Sequence, residues 1–264
     1  LTERSDMPDH IRITLDDRVL HITLNRPEKK NAITNDMYEA LAEALERAEA
    51  DPAIRAVLLD AEGDAFTAGN DLGDFAAVAA GKLAREHMGS TRFLSALARA
   101  QKPYVAAVQG LAVGIGTTML MHFDLVYIAE DAKLTTPFVN LALVPEAASS
   151  WLLPARIGHA RAFAMFALGE AIDGRTAAAI GIANEALPKD QVYAKALAGA
   201  KALATRPLGA LQATKRLMRD AEAIQAHMTK EGEIFAARLK TTEAAEALRA
   251  FAERRPPDFS KIES

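Results

Sequence analysis

The sequence predicts an α/β protein: a core in which short strands alternate with helices, followed by a tail that is nearly all helix. Three patterns carry that reading. Residues 11–15 and 19–24 alternate apolar and polar side chains around Asp16-Asp17-Arg18, the period-two signature of a hairpin. Short runs of Val, Ile and Leu recur at 54–59, 105–108 and 125–128, separated by helical or polar stretches. From Leu152 onward strand signals thin out and alanine-rich sequence with helical periodicity takes over.

Taken in order, the hairpin leads into a polar loop, Arg26-Pro27-Glu28-Lys29-Lys30-Asn31. Thr34 is placed to cap a helix running to about Ala50, with Met37, Leu41 and Leu45 on its buried face. A second helix closes over 94–100, ahead of Pro103. Residues 104–121 are mostly apolar and about as long as a membrane span. Gln109, Gly110, Gly114 and Gly116 interrupt them, which fits a buried strand, a glycine turn and a short helix better. Pro145-Glu146 reads locally as a helix start, where proline and an acid suit the first turn, and Trp151 as core or pocket wall. In the last sixty residues Leu208, Leu211, Leu217 and Ala221 mark a helical face, either packed on the core or used for self-association.

With 264 residues, half of them apolar and a quarter charged, the chain has the composition of an ordinary globular protein with a large core. A net charge of −4 supplies no basic excess to neutralise phosphates, so no nucleic-acid partner is expected. The absence of cysteine excludes thiolate catalysis, disulfides and Cys-ligated zinc. The six histidines, His10, His21, His87, His122, His159 and His227, show no ligand spacing, so no metal is expected. The polar start Leu1-Thr2-Glu3-Arg4-Ser5-Asp6 does not resemble a signal peptide; no membrane association and a cytoplasmic location are the expectation.

The chemistry lies in two turns rich in small residues. Phe66-Thr67-Ala68-Gly69-Asn70-Asp71-Leu72 and Gly114-Ile115-Gly116 each sit where an apolar strand gives way to a polar or helical segment. Such turns leave backbone N–H groups uncovered and let a ligand approach the main chain. Brought together, they would donate two hydrogen bonds to one oxygen, an oxyanion hole for a carbonyl becoming an enolate. Either motif alone also fits a plain tight turn. Gly114-Ile115-Gly116-Thr117-Thr118-Met119 lacks the third glycine and the following acid of a dinucleotide fingerprint. No G-x-S-x-G elbow occurs, and Ser149-Ser150 suit helix packing rather than nucleophilic attack. Asp71 suits a turn-tying role, bonding its own backbone.

Four ordered segments together resemble the crotonase superfamily of enoyl-CoA hydratases and isomerases. They are residues 24–32, the stretch from Ala65 to Leu72, residues 108–116, and Ala250-Phe251-Ala252-Glu253-Arg254-Arg255-Pro256-Pro257-Asp258-Phe259. The resemblance spans nearly the whole chain. It implies a crotonase-like spiral of ββα units over 1–200, which would bind acyl-CoA, and a C-terminal α-helical trimerisation region over 201–264. It also implies a homotrimer or a dimer of trimers, an acyl-CoA thioester substrate, and no cofactor beyond the coenzyme A of that substrate. The oxyanion donors would be the backbone N–H groups of Asn70 and Ile115. Ala68, Gly69, Asn70, Asp71, Leu72 and Gly114 would line the thioester end, and Arg26 and Lys29 are substrate-binding candidates; Lys29 and Lys30, on the Arg26 loop, either meet the coenzyme A phosphates or are plain solvated surface lysines. Ile115 takes the middle place of a family Gly-Gly-Gly run, where a β-branched residue would be strained if φ were positive.

Departures from the family pattern choose between activities. The two glutamates with which the hydratases position and activate water fall here at Thr118 and Phe138, in Thr136-Pro137-Phe138. Threonine orients water only weakly, and phenylalanine cannot ionise. Val144-Pro145-Glu146-Ala147-Ala148-Ser149-Ser150 instead looks like the P-E-x-x-S-S segment of the Δ3,Δ2-enoyl-CoA isomerase branch, in which the glutamate is the single acid–base. The expectation is therefore an enoyl-CoA isomerase with Glu146 as acid–base. The alternatives are an enoyl-CoA hydratase, another reaction of the superfamily such as dehalogenation or thioester hydrolysis, and a non-catalytic acyl-CoA-binding subunit.

Overall fold

The computed structural model describes residues 10–71, 73 and 89–262. It opens on the expected hairpin, β1 (Ile11–Asp16) and β2 (Val19–Leu24), paired antiparallel. Asp17 and Arg18 both take positive φ, 47° and 66°, the conformation of a two-residue hairpin turn whose twist matches its strands. After a single 3-10 turn comes α1 (Asn35–Ala50), capped as expected by Thr34, whose hydroxyl accepts from the Met37 amide at 3.3 Å. Met37, Leu41 and Leu45 are buried on its inner face.

Strand β3 (Ala56–Ala61) begins two residues later than the expected 54–59. Ile54 and Arg55 form the turn into it instead: the Ile54 amide bonds Asp51 O at 3.1 Å, and the Arg55 amide bonds Arg18 O at 2.8 Å. Helix α2 (Gly89–Arg99) packs along α1, with Phe93 against Tyr38 and Arg92 bridging Glu39 and Glu46. The membrane-length stretch resolves into β4 (Tyr104–Val108), β5 (Leu111–Val113), α3 (Ile115–Thr118) and a 3-10 turn over Met119–His122. Among the described residues no helix is long and apolar enough to cross a membrane.

Next come β6 (Leu125–Ala129), β7 (Lys133–Thr135), α4 (Ser149–Ile157), α5 (His159–Phe163) and β8 (Ile172–Asp173). They are followed by α6 (Gly174–Ala179), β9 (Glu185–Leu187) and α7 (Lys189–Ala204). The main sheet has the order β1-β2-β3-β4-β6-β9 and is parallel apart from the opening hairpin. Strand β4 is buried along its whole length, as a strand covered on both faces must be, and α7 lies across β3, β4 and β6. A second, smaller sheet has the order β5-β7-β8. Its strands and β9 are two or three residues long, too short for a periodic pattern to form, and the sequence does not announce them.

The chain ends in α8 (Leu208–Met218), α9 (Ala221–Leu239) and α10 (Thr242–Ala252). Helix α9 packs on α2, and α10 on the 3-10 turn at Val139–Leu141. Phe235, Leu239, Ala244 and Ala247 join the main core. The expected apolar face of α8 is not buried in the chain: Leu217 is 89% exposed, and its neighbour Met218 82%. The buried residue of α8 is Lys215. Its ammonium donates to Asp124 Oδ2 at 2.7 Å and to Lys102 O at 2.9 Å, and lies 4.9 Å from the centre of the Tyr104 ring. Beyond α10, the buried Glu246 carboxylate accepts from Arg249, Arg255 and the Asp258 amide, folding the Arg254-Arg255-Pro256-Pro257 segment back on the helix. The Arg255 and Arg249 guanidinium groups and that amide hold the Glu246 carboxyl well below the usual carboxylate range.

Removing Asp124 would leave the Lys215 ammonium without its carboxylate; because the Asp124 side chain is 31% exposed, the loss should lie between that of an exposed and of a buried pair, about 1–3 kcal/mol. Asp124→Ala should therefore lose stability on that scale in urea denaturation, with part of it recovered when Lys215→Met is added. A loss below about 1 kcal/mol would show that the pair does not anchor α8.

Candidate active site

Two of the predicted turns meet, and the loop at Arg26 explains how. Asn31 is fully buried; its side-chain amide donates to Glu62 O (2.8 Å) and Ala65 O (2.9 Å), and its Oδ1 accepts from the Arg26 amide. Thr67 donates its hydroxyl to Asn31 O at 2.6 Å and receives the Gly69 amide at 3.0 Å. The chain from Thr67 to Asp71 is thus laid against 30–33, through Ala68 N to Lys30 O, Ile33 N to Gly69 O and Asp71 N to Ile33 O. Its other edge faces β5: Thr67 N donates to Leu111 O and Val113 N to Thr67 O, both at 3.0 Å. The first turn is in effect an extra strand of the small sheet.

So close an approach requires missing side chains. A Cβ on Gly69 (φ +89°) would lie 2.8 Å from Val113 O, and one on Gly116 would lie 2.6 Å from the Thr67 methyl. In the second turn Gly114 takes the unusual dihedrals, φ 55° and ψ −115°, while Ile115 begins α3 with a negative φ. The feared strain at a β-branched Ile115 does not arise, because the glycine before it absorbs the turn. Neither the Asn70 nor the Ile115 amide donates to another group among the described residues. The Asn70 side chain is held aside by the Tyr38 hydroxyl, which donates to its Oδ1.

Asp71 accepts from Arg26 Nη1 at 2.7 Å and from the Gly73 amide at 3.0 Å, the turn-tying role expected of it. Burial raises its carboxyl, but Arg26, the Gly73 amide and Lys29 outweigh that, and the net shift is below the ordinary range. The same contacts hold Arg26, whose side chain is only 15% exposed and is committed to Asp71 and to Ala32 O. Lys29 is exposed on the same loop. Leu72 lies outside the described residues.

Glu146 does not start a helix. Helix α4 begins at Ser149, and Glu146 stands before it in an irregular segment. Ala147 (φ 62°) and Ala148 (φ 55°) both sit in the left-handed region, which interrupts helical winding at an expense of about 1–2 kcal/mol per residue. That double reversal puts the Glu146 carboxylate beside α3, where Thr118, itself buried, donates its hydroxyl to Glu146 Oε1 at 2.5 Å. Thr118 is one helical turn from Ile115, so the partner of the carboxylate and the unengaged amide belong to one four-residue helix. Phe138 is buried, its ring 6.1 Å from that of Phe166.

Several groups around this segment carried no sequence signal. His122, fully buried, bonds Ala147 O through Nε2 at 2.7 Å, and its Nδ1 meets Arg219. A guanidinium can only donate, so Nδ1 is the acceptor and Nε2–H the donor. Burial, then Arg219, pushes the His122 pKa down to about 3, which keeps the ring neutral. From α9, Glu231 accepts from the Ala148 amide (2.6 Å), the Ser150 amide (2.9 Å) and the Ser150 hydroxyl (2.5 Å). Ser149 donates its hydroxyl to Glu146 O at 2.5 Å. Ser149 thus fastens backbone, whereas the Ser150 hydroxyl bonds the side chains of Glu231 and His227. Ser150 contacts both His227 (2.8 Å) and Glu231, so His227 is not interposed as a nucleophilic triad requires. Trp151, expected in the core or a pocket wall, is 41% exposed with its ring near His227. Among the described residues no group of three or more His, Cys, Asp or Glu is arranged to hold a metal ion.

The chain as a whole has known relatives. The sequence profile of the enoyl-CoA hydratase/isomerase family matches residues 14–262. The chain is 34% identical over 251 residues to enoyl-CoA delta isomerase 2 of Rattus norvegicus; the match covers 93% of this chain and 64% of the rat protein. It is 32% identical over 250 residues to 1,2-epoxyphenylacetyl-CoA isomerase of Escherichia coli K12, covering 92% and 95%. Relatives of comparable identity carry hydratase names. The crystal structure of an enoyl-CoA hydratase/isomerase from Pseudoalteromonas atlantica T6c superposes with a TM-score of 0.89 at 42% identity, covering 95% of this chain and 100% of that one.

The contact between the turns predicts a specific sensitivity. In Gly116→Ala the new methyl must push Thr67 off β5, and overpacking of this kind costs about 1–3 kcal/mol. Urea denaturation should show that loss; an unchanged midpoint would mean that the turns do not need their close approach.

Proposed function

The chain belongs to the enoyl-CoA hydratase/isomerase family, and we propose that within it the protein is a Δ3,Δ2-enoyl-CoA isomerase working with a single carboxylate. One observation carries the reading: the Glu146 carboxylate is held by Thr118 on the helix that begins with the unengaged Ile115 amide, while position 138 is a buried phenylalanine. In this mechanism Glu146 removes a proton from C2 of a 3-enoyl-CoA. The negative charge passes to the thioester oxygen, which accepts from the Asn70 and Ile115 amides. The carboxylic acid then returns its proton to C4, leaving the 2-enoyl product and restoring the carboxylate. Thr118 orients the base, and Phe138 keeps the region apolar so that water does not intercept the dienolate. Ala68, Gly69 and Gly114 would border the thioester, and Lys29 remains for the phosphates. Coenzyme A enters with the substrate, and the proton shuttle needs no other cofactor.

The magnitudes suit this division of labour. A positioned general base contributes roughly 10²–10⁴ in rate, and each oxyanion donor about 10²–10³. Hydration, the activity in the names of several relatives, would need a second acid where Thr118 or Phe138 stands. The exposed apolar residues Leu217, Met218, Phe251, Phe163 and Leu168 support a further part of the proposal, that the chain assembles as a homotrimer or a dimer of trimers.

Glu146→Gln should lower kcat for 3-enoyl-CoA isomerisation by about 10²–10⁴ while acyl-CoA still binds. Rapid hydration of a 2-enoyl-CoA by the unaltered protein would favour the hydratase instead, and binding without any turnover would favour a non-catalytic subunit. Light scattering after size exclusion should report three or six chains of 28.3 kDa each; a monomer would refute the assembly.

A further inference from the structure

We infer that His122 and Glu231 are positioning residues for Glu146, clamping from two sides the double left-handed turn that aims its carboxylate at Thr118. The inference rests on the isomerase reading for its kinetic consequence, but the geometry stands apart from it. Two consecutive alanines at positive φ are not stable by themselves, because each Cβ crowds its own carbonyl. The surroundings must over-determine them. Both polar groups of the peptide between the two alanines are taken by buried side chains. Ala147 O receives the His122 Nε2–H at 2.7 Å, and Ala148 N donates to Glu231 Oε2 at 2.6 Å.

Each clamp is itself anchored in a different element. His122 stands at the end of the 3-10 turn that continues α3, and Arg219, in the link between α8 and α9, fixes its tautomer through Nδ1 and also donates to His122 O at 3.1 Å. Glu231 comes from α9 and reaches past Ala148 to the Ser150 amide and hydroxyl. The turn is therefore tied on one side to the helix that carries Thr118 and Ile115, and on the other to the C-terminal helices. Relaxation of Ala147 and Ala148 toward negative φ would swing Glu146 away from α3. Displacement of a reacting group by about 1 Å is enough to cost roughly 10²-fold in rate.

The test compares His122→Phe, His122→Gln and Glu231→Ala. Phenylalanine keeps the ring volume but loses both hydrogen bonds, whereas the glutamine amide can still donate to Ala147 O. His122→Phe and Glu231→Ala should each lower kcat for 3-enoyl-CoA isomerisation by about 10- to 100-fold with acyl-CoA affinity within a few-fold of normal. His122→Gln should recover most of kcat. Unchanged kcat in the folded Phe and Ala variants, or equal losses for Phe and Gln, would overturn the inference. If His122→Phe does not fold, Glu231→Ala alone decides in the same way. If the unaltered protein does not isomerise 3-enoyl-CoA, the functional reading fails, and crystal structures of the variants decide the positioning. Loss of the Thr118–Glu146 contact would support it, and retention of that contact would refute it.

Discussion

The site depends on how closely the backbone at Thr67–Gly69 approaches β5 and α3. Two hydrogen bonds between Thr67 and the Leu111–Val113 backbone hold the approach, and Gly69 and Gly116 permit it by having no side chain where the other turn passes. Everything chemically useful is arranged around this contact. The Asn70 amide lies just beyond one side of it, the Ile115 amide just beyond the other, and the buried loop at Asn31 braces it from behind. Backbone amides suit such a role because strand pairing fixes their direction and they need no reorganisation when charge develops nearby.

Against that rigid frame, Glu146 is placed by strain rather than by regular structure. A carboxylate in the first turn of α4 would face the helix dipole and lose basicity. The reversal at Ala147–Ala148 moves it out of the helix, and its oxygen takes a hydroxyl partner from α3. Threonine at 118 thereby has a role the sequence alone did not suggest: it contacts the base instead of standing in weakly for a lost acid. Phe138 is buried as well, and an inventory of one carboxylate, one hydroxyl and two unengaged amides suits the proposed proton shuttle.

The C-terminal helices connect the site to the rest of the molecule. Lys215 and Glu231 on these helices, and Arg219 in the link between them, are polar residues that each reach inward to a buried partner. The apolar residues Leu217 and Met218 face the other way. An element that grips the core with charged hydrogen bonds and leaves its apolar side outward is suited to carrying a further surface, and the proposed assembly would cover it.

By itself the sequence determined the α/β class, the hairpin, the capped helix α1, the long strands and the two glycine turns. Each of these is written in local chemistry: alternation, a capping hydroxyl, β-branched runs and missing side chains. Through the family resemblance it also placed Thr118 and Phe138 where the hydratases carry their two glutamates. Strands of two or three residues were not legible, because they are held by partners distant in the chain rather than by their own propensity. The inward turn of Arg26, the burial of Lys215 and the exposure of Trp151 were likewise decided by which groups tertiary packing brought near. Glu146 illustrates the division most clearly. Its local sequence spells a helix start, whereas His122 and Glu231, 24 residues before it and 85 after, bond the turn that follows it and points it at Thr118.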